Sequence, residues 1–140
     1  PICPAAAPRA GRVALAKLLP LVDVLSLHCP LTPKTRGLIG VEELRSMKRG
    51  AVLINTARGG IVDELALVAA LRSGYLGGAG VDVLTREPPD DNPLLAAGIP
   101  NLIVTPHIAW ASRESRQRLL NELAENIQAF MKGNPRNVVK

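Results

Sequence analysis

Residues Ala51 to Gly60 read AVLINTARGG. The first half, Ala51 to Asn55, is a short continuous apolar run that ends on a polar side chain. A run of that kind predicts a strand of a parallel sheet covered on both faces. The second half, Asn55-Thr56-Ala57-Arg58-Gly59-Gly60, is a turn. In open parallel sheets ligands bind beyond the carboxyl ends of the strands. The turn after Asn55 is therefore a place to look for chemistry.

Working outward, the same pattern repeats. Upstream, Leu21 to His28 (LVDVLSLH) reads as a buried strand, and the prolines of Cys29-Pro30-Leu31-Thr32-Pro33 force a loop after it. Val41 to Lys48 reads as a short helix with Leu44 and Met47 on one face, closed by Gly50. Downstream, Asp63 is placed to cap a helix that runs to Ser73, with Gly74 as its stop. Ala79 to Leu84 is a third strand. Glu87 to Pro100 is rich in loop residues, with a helical turn near Leu94. Leu102 to Thr105 is a fourth strand. Ser112 opens the last helix, residues 112–132, which Gly133 and Pro135 end. In it Leu120, Leu123, Ile127 and Phe130 recur at helical spacing, widened by Leu119 and Met131, and the stripe is expected to pack. Glu114 and Arg118 are spaced as an i,i+4 pair, and the basic side chains around them read as a solvated face. Residues 1–17 read as an irregular lead-in. Strands alternating with helices predict an α/β fold with a mostly parallel sheet and right-handed crossovers.

Composition narrows the function. The 140 residues suit one domain, and with one Trp, one Tyr and one Phe the core must come from Leu, Val, Ile and Ala. The net charge is +5. The basic residues are not interleaved with stacking aromatics, so no nucleic-acid partner is expected. No apolar run is long enough to cross a bilayer, and Pro1 to Pro8 lacks the features of a secretory signal. Cys3 and Cys29 have no metal-ligand spacing and read as reduced thiols of a cytoplasmic protein; no metal site is expected.

The chemistry-bearing residues gather after the strands. Arg58 follows the second, Asp82 and Glu87 the third (DVLTREPP, Asp82 to Pro89), and His107 the fourth (TPHIAW, Thr105 to Trp110). A guanidinium grips a carboxylate with two parallel hydrogen bonds. An imidazole exchanges a proton near neutral pH, and a carboxylate beside it fixes its tautomer.

These segments, with His28-Cys29-Pro30-Leu31-Thr32, resemble the D-isomer-specific 2-hydroxyacid dehydrogenases from about Leu18 to Val139. The block Thr105 to Ser112 and the ending Gly133 to Val139 are most similar to the glycerate dehydrogenases, also known as hydroxypyruvate or glyoxylate reductases. The resemblance implies hydride transfer between NAD or NADP and a small D-2-hydroxy or 2-keto acid. Arg58 would bind the substrate carboxylate, His107 would be the acid/base and Glu87 its partner. Thr56, Ala57 and Arg58 would lie along the cofactor, with Asp82 at the nicotinamide amide and His107 and Ala109 nearby. His28 and Pro30 would belong to the loop over the cofactor, where His28 either contacts it or braces the loop. Asp82 either meets the cofactor or braces a turn. Trp110 reads as core, subunit interface or substrate-facing. A homodimer is expected.

The family's G-x-G-x-x-G loop and the two strands around it do not occur in these residues. Gly77-Gly78-Ala79-Gly80 precedes a strand and opens no helix, so it is no substitute. The expected fold is therefore an incomplete Rossmann-like, doubly wound parallel sheet, with residues 1–140 the C-terminal portion of a dinucleotide-binding domain. Taken alone, the chain is expected to bind NAD weakly and turn over nothing. The rival reading is an inactive fragment or protein-binding remnant of such an enzyme.

Overall fold

The computed structural model describes residues 12–96, 98–99 and 101–139. It divides into two units, one ending at His107 and the other starting at Ile108.

The first unit is built on four parallel strands in the order β1-β2-β3-β4: Val24–Leu27, Val52–Asn55, Gly78–Val81 and Leu102–Val104. Register runs straight across, Leu27 beside Asn55 and Asn55 beside Val81. The four carboxyl ends thus lie level, and the loops that leave them share one edge. A short helix α1, Leu15–Leu18, and a 3-10 turn, Leu19–Leu21, lead into β1. The irregular lead-in expected over 1–17 is thus helical from Leu15, while residues 1–11 lie outside the described part. The Leu21–His28 strand is shorter than expected at its start, because Pro20 sits in that 3-10 turn.

Helix α2, Val41–Ser46, opens where Gly40 N–H donates to Glu43 Oε2 (3.0 Å). Helix α3, Glu64–Arg72, opens on the Asp63 side chain, which accepts from Ala66 N–H (3.0 Å) as its position implied. The two helices lie against each other. Leu25, Leu27, Leu53, Ala79 and Val81 project from one face of the sheet into a core shared with Ile39, Leu44, Ile61 and Leu67. Complete burial of one such Leu or Ile stabilises the fold by roughly 1.5–3 kcal/mol. The opposite face is less covered: Val52 and Ile54 are half-buried, and Val24 and Ile103 are exposed. The loop after β1 is pinned to the loop after β2 by Gly37 N–H to Gly60 O, Ile39 N–H to Ile61 O and Asp63 N–H to Ile39 O.

Gly77 to Gly80 run into β3 and open no helix. Their smallness has a packing cause: a Cβ on Gly77 would lie 2.3 Å from Gly50 O.

The second unit carries α4, Arg113–Met131, capped by Ser112 Oγ accepting from Ser115 N–H (3.2 Å). The stripe expected to pack is exposed in this chain, with Leu120 at 59% and Phe130 at 74%. The expected Glu114–Arg118 pair does not form among the described residues; Arg118 donates to Ser115 Oγ instead (3.0 Å). Trp110 is exposed. No helix among the described residues is long and apolar enough to cross a membrane.

Candidate functional site

The loops at the carboxyl edge of the sheet carry the residues singled out in the sequence. After β2, Asn55 is buried, and its side chain organises the turn it begins. Its Oδ1 accepts from Ala57 N–H (3.1 Å) and its Nδ2 donates to Arg58 O (3.1 Å). Thr56 to Arg58 are therefore held in one shape while the Arg58 side chain stays exposed, donating to Ala57 O (2.7 Å). His28, Cys29, Pro30, Thr56, Ala57 and Arg58 line one concavity of about 310 Å³. Its β1 side is braced internally. Ser26 Oγ meets His28 Nε2 (2.8 Å). The buried Thr35 hydroxyl donates to Pro30 O (2.7 Å) and accepts from Thr32 N–H (2.7 Å).

The ends of β3 and β4 form the second half. Asp82 is buried and accepts from the Thr105 hydroxyl. Glu87 and His107 form the central pair, with His107 Nδ1 2.7 Å from Glu87 Oε2. The other carboxylate oxygen, Oε1, accepts from Leu84 N–H (2.7 Å). Both oxygens are used, so the carboxylate cannot rotate freely. The Leu84 amide, and next the hydrogen bond to His107, hold the Glu87 carboxyl below the usual glutamate range, against some desolvation and the charge of Asp82. His107 adopts a left-handed backbone, with φ of 55°. That conformation is uncommon outside glycine and costs on the order of 1 kcal/mol. It is held by the His107 N–H, which donates to Asp82 O (2.9 Å) and Thr105 O (3.0 Å). Asp82, Leu84, Glu87, Thr105 and His107 face a cleft of about 410 Å³ whose remaining walls include Pro88, Leu95 and Val104.

The two halves meet at Gly59. A Cβ there would lie 1.8 Å from Leu84 O and 2.6 Å from Thr85 N, so the Arg58 turn rests directly on the backbone that leads to Glu87. Ala109 belongs to the second unit, in a turn where Ala111 N–H donates to Ile108 O (2.8 Å).

Sequence reasoning overlooked Asn55, Gly59 and Thr35 as organisers of these loops. For Asn55 a signal existed, a polar residue closing an apolar strand. For Gly59 the cause is a contact with a distant segment, which local pattern does not reveal; Thr35 bonds within its own loop, to Pro30 and Thr32. Among the described residues no group of His, Cys, Asp and Glu is arranged to hold a metal.

The arrangement offers a cation for a carboxylate, an oriented imidazole for a proton, and a concavity along strand ends where an extended ligand can lie. Known proteins resemble the chain. The family model for the D-isomer specific 2-hydroxyacid dehydrogenase, NAD binding domain, matches residues 4–109. A glycerate dehydrogenase of Methylorubrum extorquens is 55% identical over 134 residues, covering 95% of this chain and 43% of that protein. A hydroxypyruvate reductase of Blautia hydrogenotrophica is 48% identical over 128 residues, covering 91% of this chain and 39% of that protein. The crystal structure of the TT0316 protein of Thermus thermophilus superposes with a TM-score of 0.79 at 46% identity, covering 96% of this chain and 43% of that one. The chain thus spans less than half the length of these relatives. With well over half of its residues matched by the family model, it belongs to the D-isomer specific 2-hydroxyacid dehydrogenase family, by way of that family's NAD-binding domain.

Proposed function

We propose that this chain supplies the catalytic face of an NAD- or NADP-dependent oxidoreductase acting on a small D-2-hydroxy or 2-keto acid, of the glycerate/hydroxypyruvate or glyoxylate type. The observation that carries the reading is the His107–Glu87 pair at 2.7 Å, anchored by the Leu84 amide at the end of a parallel strand. Names of relatives at about half identity support the substrate class.

The concavity at the ends of β1 and β2 would take part of an elongated cofactor, with His28, Cys29, Pro30, Thr56, Ala57 and Arg58 around it. In this reading His28, Pro30, Thr56, Ala57 and Arg58 run along the cofactor, and Asp82 and His107 stand at its nicotinamide end. Ala109 is assigned to the cofactor by family resemblance alone. When bound, the nicotinamide supplies the hydride for reduction and accepts it in oxidation. The protein does the rest. Arg58 binds the substrate carboxylate through its two-pronged guanidinium. Glu87 occupies Nδ1 of His107, which leaves Nε2 as the nitrogen assigned to the substrate oxygen. Protonated His107 donates to the forming alkoxide during reduction and takes the proton back during oxidation. A homodimer in the cytoplasm completes the proposal. The exposed apolar stripe of α4 supports an association, and the free Cys29 suits a reducing compartment.

The test places these 140 residues in the corresponding segment of the complete Methylorubrum extorquens relative and follows hydroxypyruvate and glyoxylate reduction. Glu87→Gln removes the carboxylate that holds Nδ1 of the ring, so turnover of both keto acids should fall by about tenfold or more. Unchanged turnover removes Glu87 from the mechanism.

A further inference from the structure

Glu64 stands outside every motif that pointed to the site, yet it reaches into the loop that carries Glu87. It is the first residue of α3. Its Oε1 accepts from Thr85 N–H (2.8 Å) and its Oε2 accepts from Asn92 Nδ2 (3.0 Å). Thr85 and Asn92 bracket Glu87 in the chain. The Asn92 amide is itself fixed, because it is buried and its Oδ1 accepts from Leu94 N–H (3.0 Å).

The near end of the loop shows what this arrangement does. Leu84 and Thr85 offer neighbouring backbone amides. The Leu84 N–H donates to Glu87 Oε1, and the Thr85 N–H donates to Glu64 Oε1. Gly59 lies against the peptide that joins them. Glu64 thereby sets the plane of the Leu84–Thr85 peptide beside the amide that orients Glu87. At the far end it holds Asn92. The chain of contacts runs from the start of α3 through a backbone peptide to Glu87 and on to His107.

We propose that Glu64 is a positioning residue for the acid/base pair: its carboxylate clamps both ends of the Thr85–Asn92 loop and so keeps Glu87 seated against His107. The proposal deepens the function given above and rests on that reading for its catalytic meaning. The positional coupling itself can be measured without any activity.

Hydrogen-bond polarity makes the clamp testable. Both partners of Glu64 are donors, so the side chain must accept twice. Glu64→Gln can accept from Thr85 or from Asn92, and its own NH2 then faces a donor. Asn92 cannot turn its amide round without abandoning Leu94 N–H. In the double variant Glu64→Gln/Asn92→Asp the polarity is exchanged. The introduced amide accepts from Thr85 and donates to the introduced carboxylate, whose other oxygen still accepts from Leu94 N–H.

The Glu87 carboxyl carbon is followed by NMR against pH in the 140-residue chain and these variants, alongside thermal melting. Loosening the loop weakens the Leu84 and His107 contacts, so Glu64→Gln should raise the Glu87 titration midpoint and the double variant should restore it. Loss of the Glu64 charge by itself acts in the opposite direction, since removing a nearby negative charge makes Glu87 easier to ionise. An unmoved or lowered midpoint in folded Glu64→Gln overturns the proposal, as does a raised midpoint that the double variant fails to restore. In the chimeric enzyme, Glu64→Gln should cost kcat several-fold with KM little changed, a smaller loss than that of Glu87→Gln. Should the chimera be inert, or its turnover ignore Glu87→Gln, the proposed function fails while the measured coupling from Glu64 to Glu87 stands or falls by the midpoints.

Discussion

At the scale of single residues, the Glu87 carboxylate is held at both oxygens, one on Leu84 N–H and the other on His107. Its ionised form is the one these donors favour. The stability it contributes is therefore present above the ordinary glutamate value and lost as pH falls through the lower, folded value. The contribution is small, because the group is partly exposed to solvent. The expected NMR titration has its midpoint below 4.5, the usual glutamate value. A midpoint at or above that value would contradict the two hydrogen bonds. Arg58 gives a second prediction. Lysine keeps the charge and loses the planar pair of donors, and unpairing a desolvated carboxylate contact costs about 2–5 kcal/mol. In the chimeric enzyme Arg58→Lys should lower kcat/KM for a 2-keto acid by ~30-fold or more. Near-normal kinetics would separate Arg58 from substrate binding.

Among the elements, α3 joins fold and site. Asp63 caps it and Glu64, the next residue, holds the Glu87 loop. Asp63→Ala should destabilise the chain by about 1 kcal/mol, read from a denaturant midpoint. The cap was legible in the sequence, as were the four strands, the Gly74 stop and the turn after Asn55, since each follows from local pattern. Glu64 was not, because its partners Thr85 and Asn92 lie far along the chain and α/β sequences often place an acid in a first helical turn. The same holds for Gly59, whose need for a missing side chain comes from the Leu84–Thr85 backbone. Periodicity correctly marked α4 as a helix but not what covers its stripe. Amphipathic spacing specifies that a face is apolar; it does not name the surface that meets it.

For the molecule as a whole, level strand ends are the organising fact. A parallel sheet in straight register delivers Arg58, Glu87 and His107 on successive loops without any long connection. The turn at Gly59 then lets two of those loops touch. β1 is an edge strand: among the described residues it pairs on one side only, with β2, as β4 does with β3. Val52 N–H donates to Asp23 O (2.9 Å), which sets the phase of that ladder. In a parallel pair the next bond belongs to the amide of Leu25 and the one after to Leu27, while the amides of Val24 and Ser26 point away from β2. Deuterium should read this as an alternation along four residues of the 140-residue chain, with Leu25 and Leu27 slow to exchange and Val24 and Ser26 fast. Any strand that later joins this edge would slow the two fast positions and leave the two slow ones as they were, so the isotope pattern would report the arrival of a neighbour and the side on which it docked.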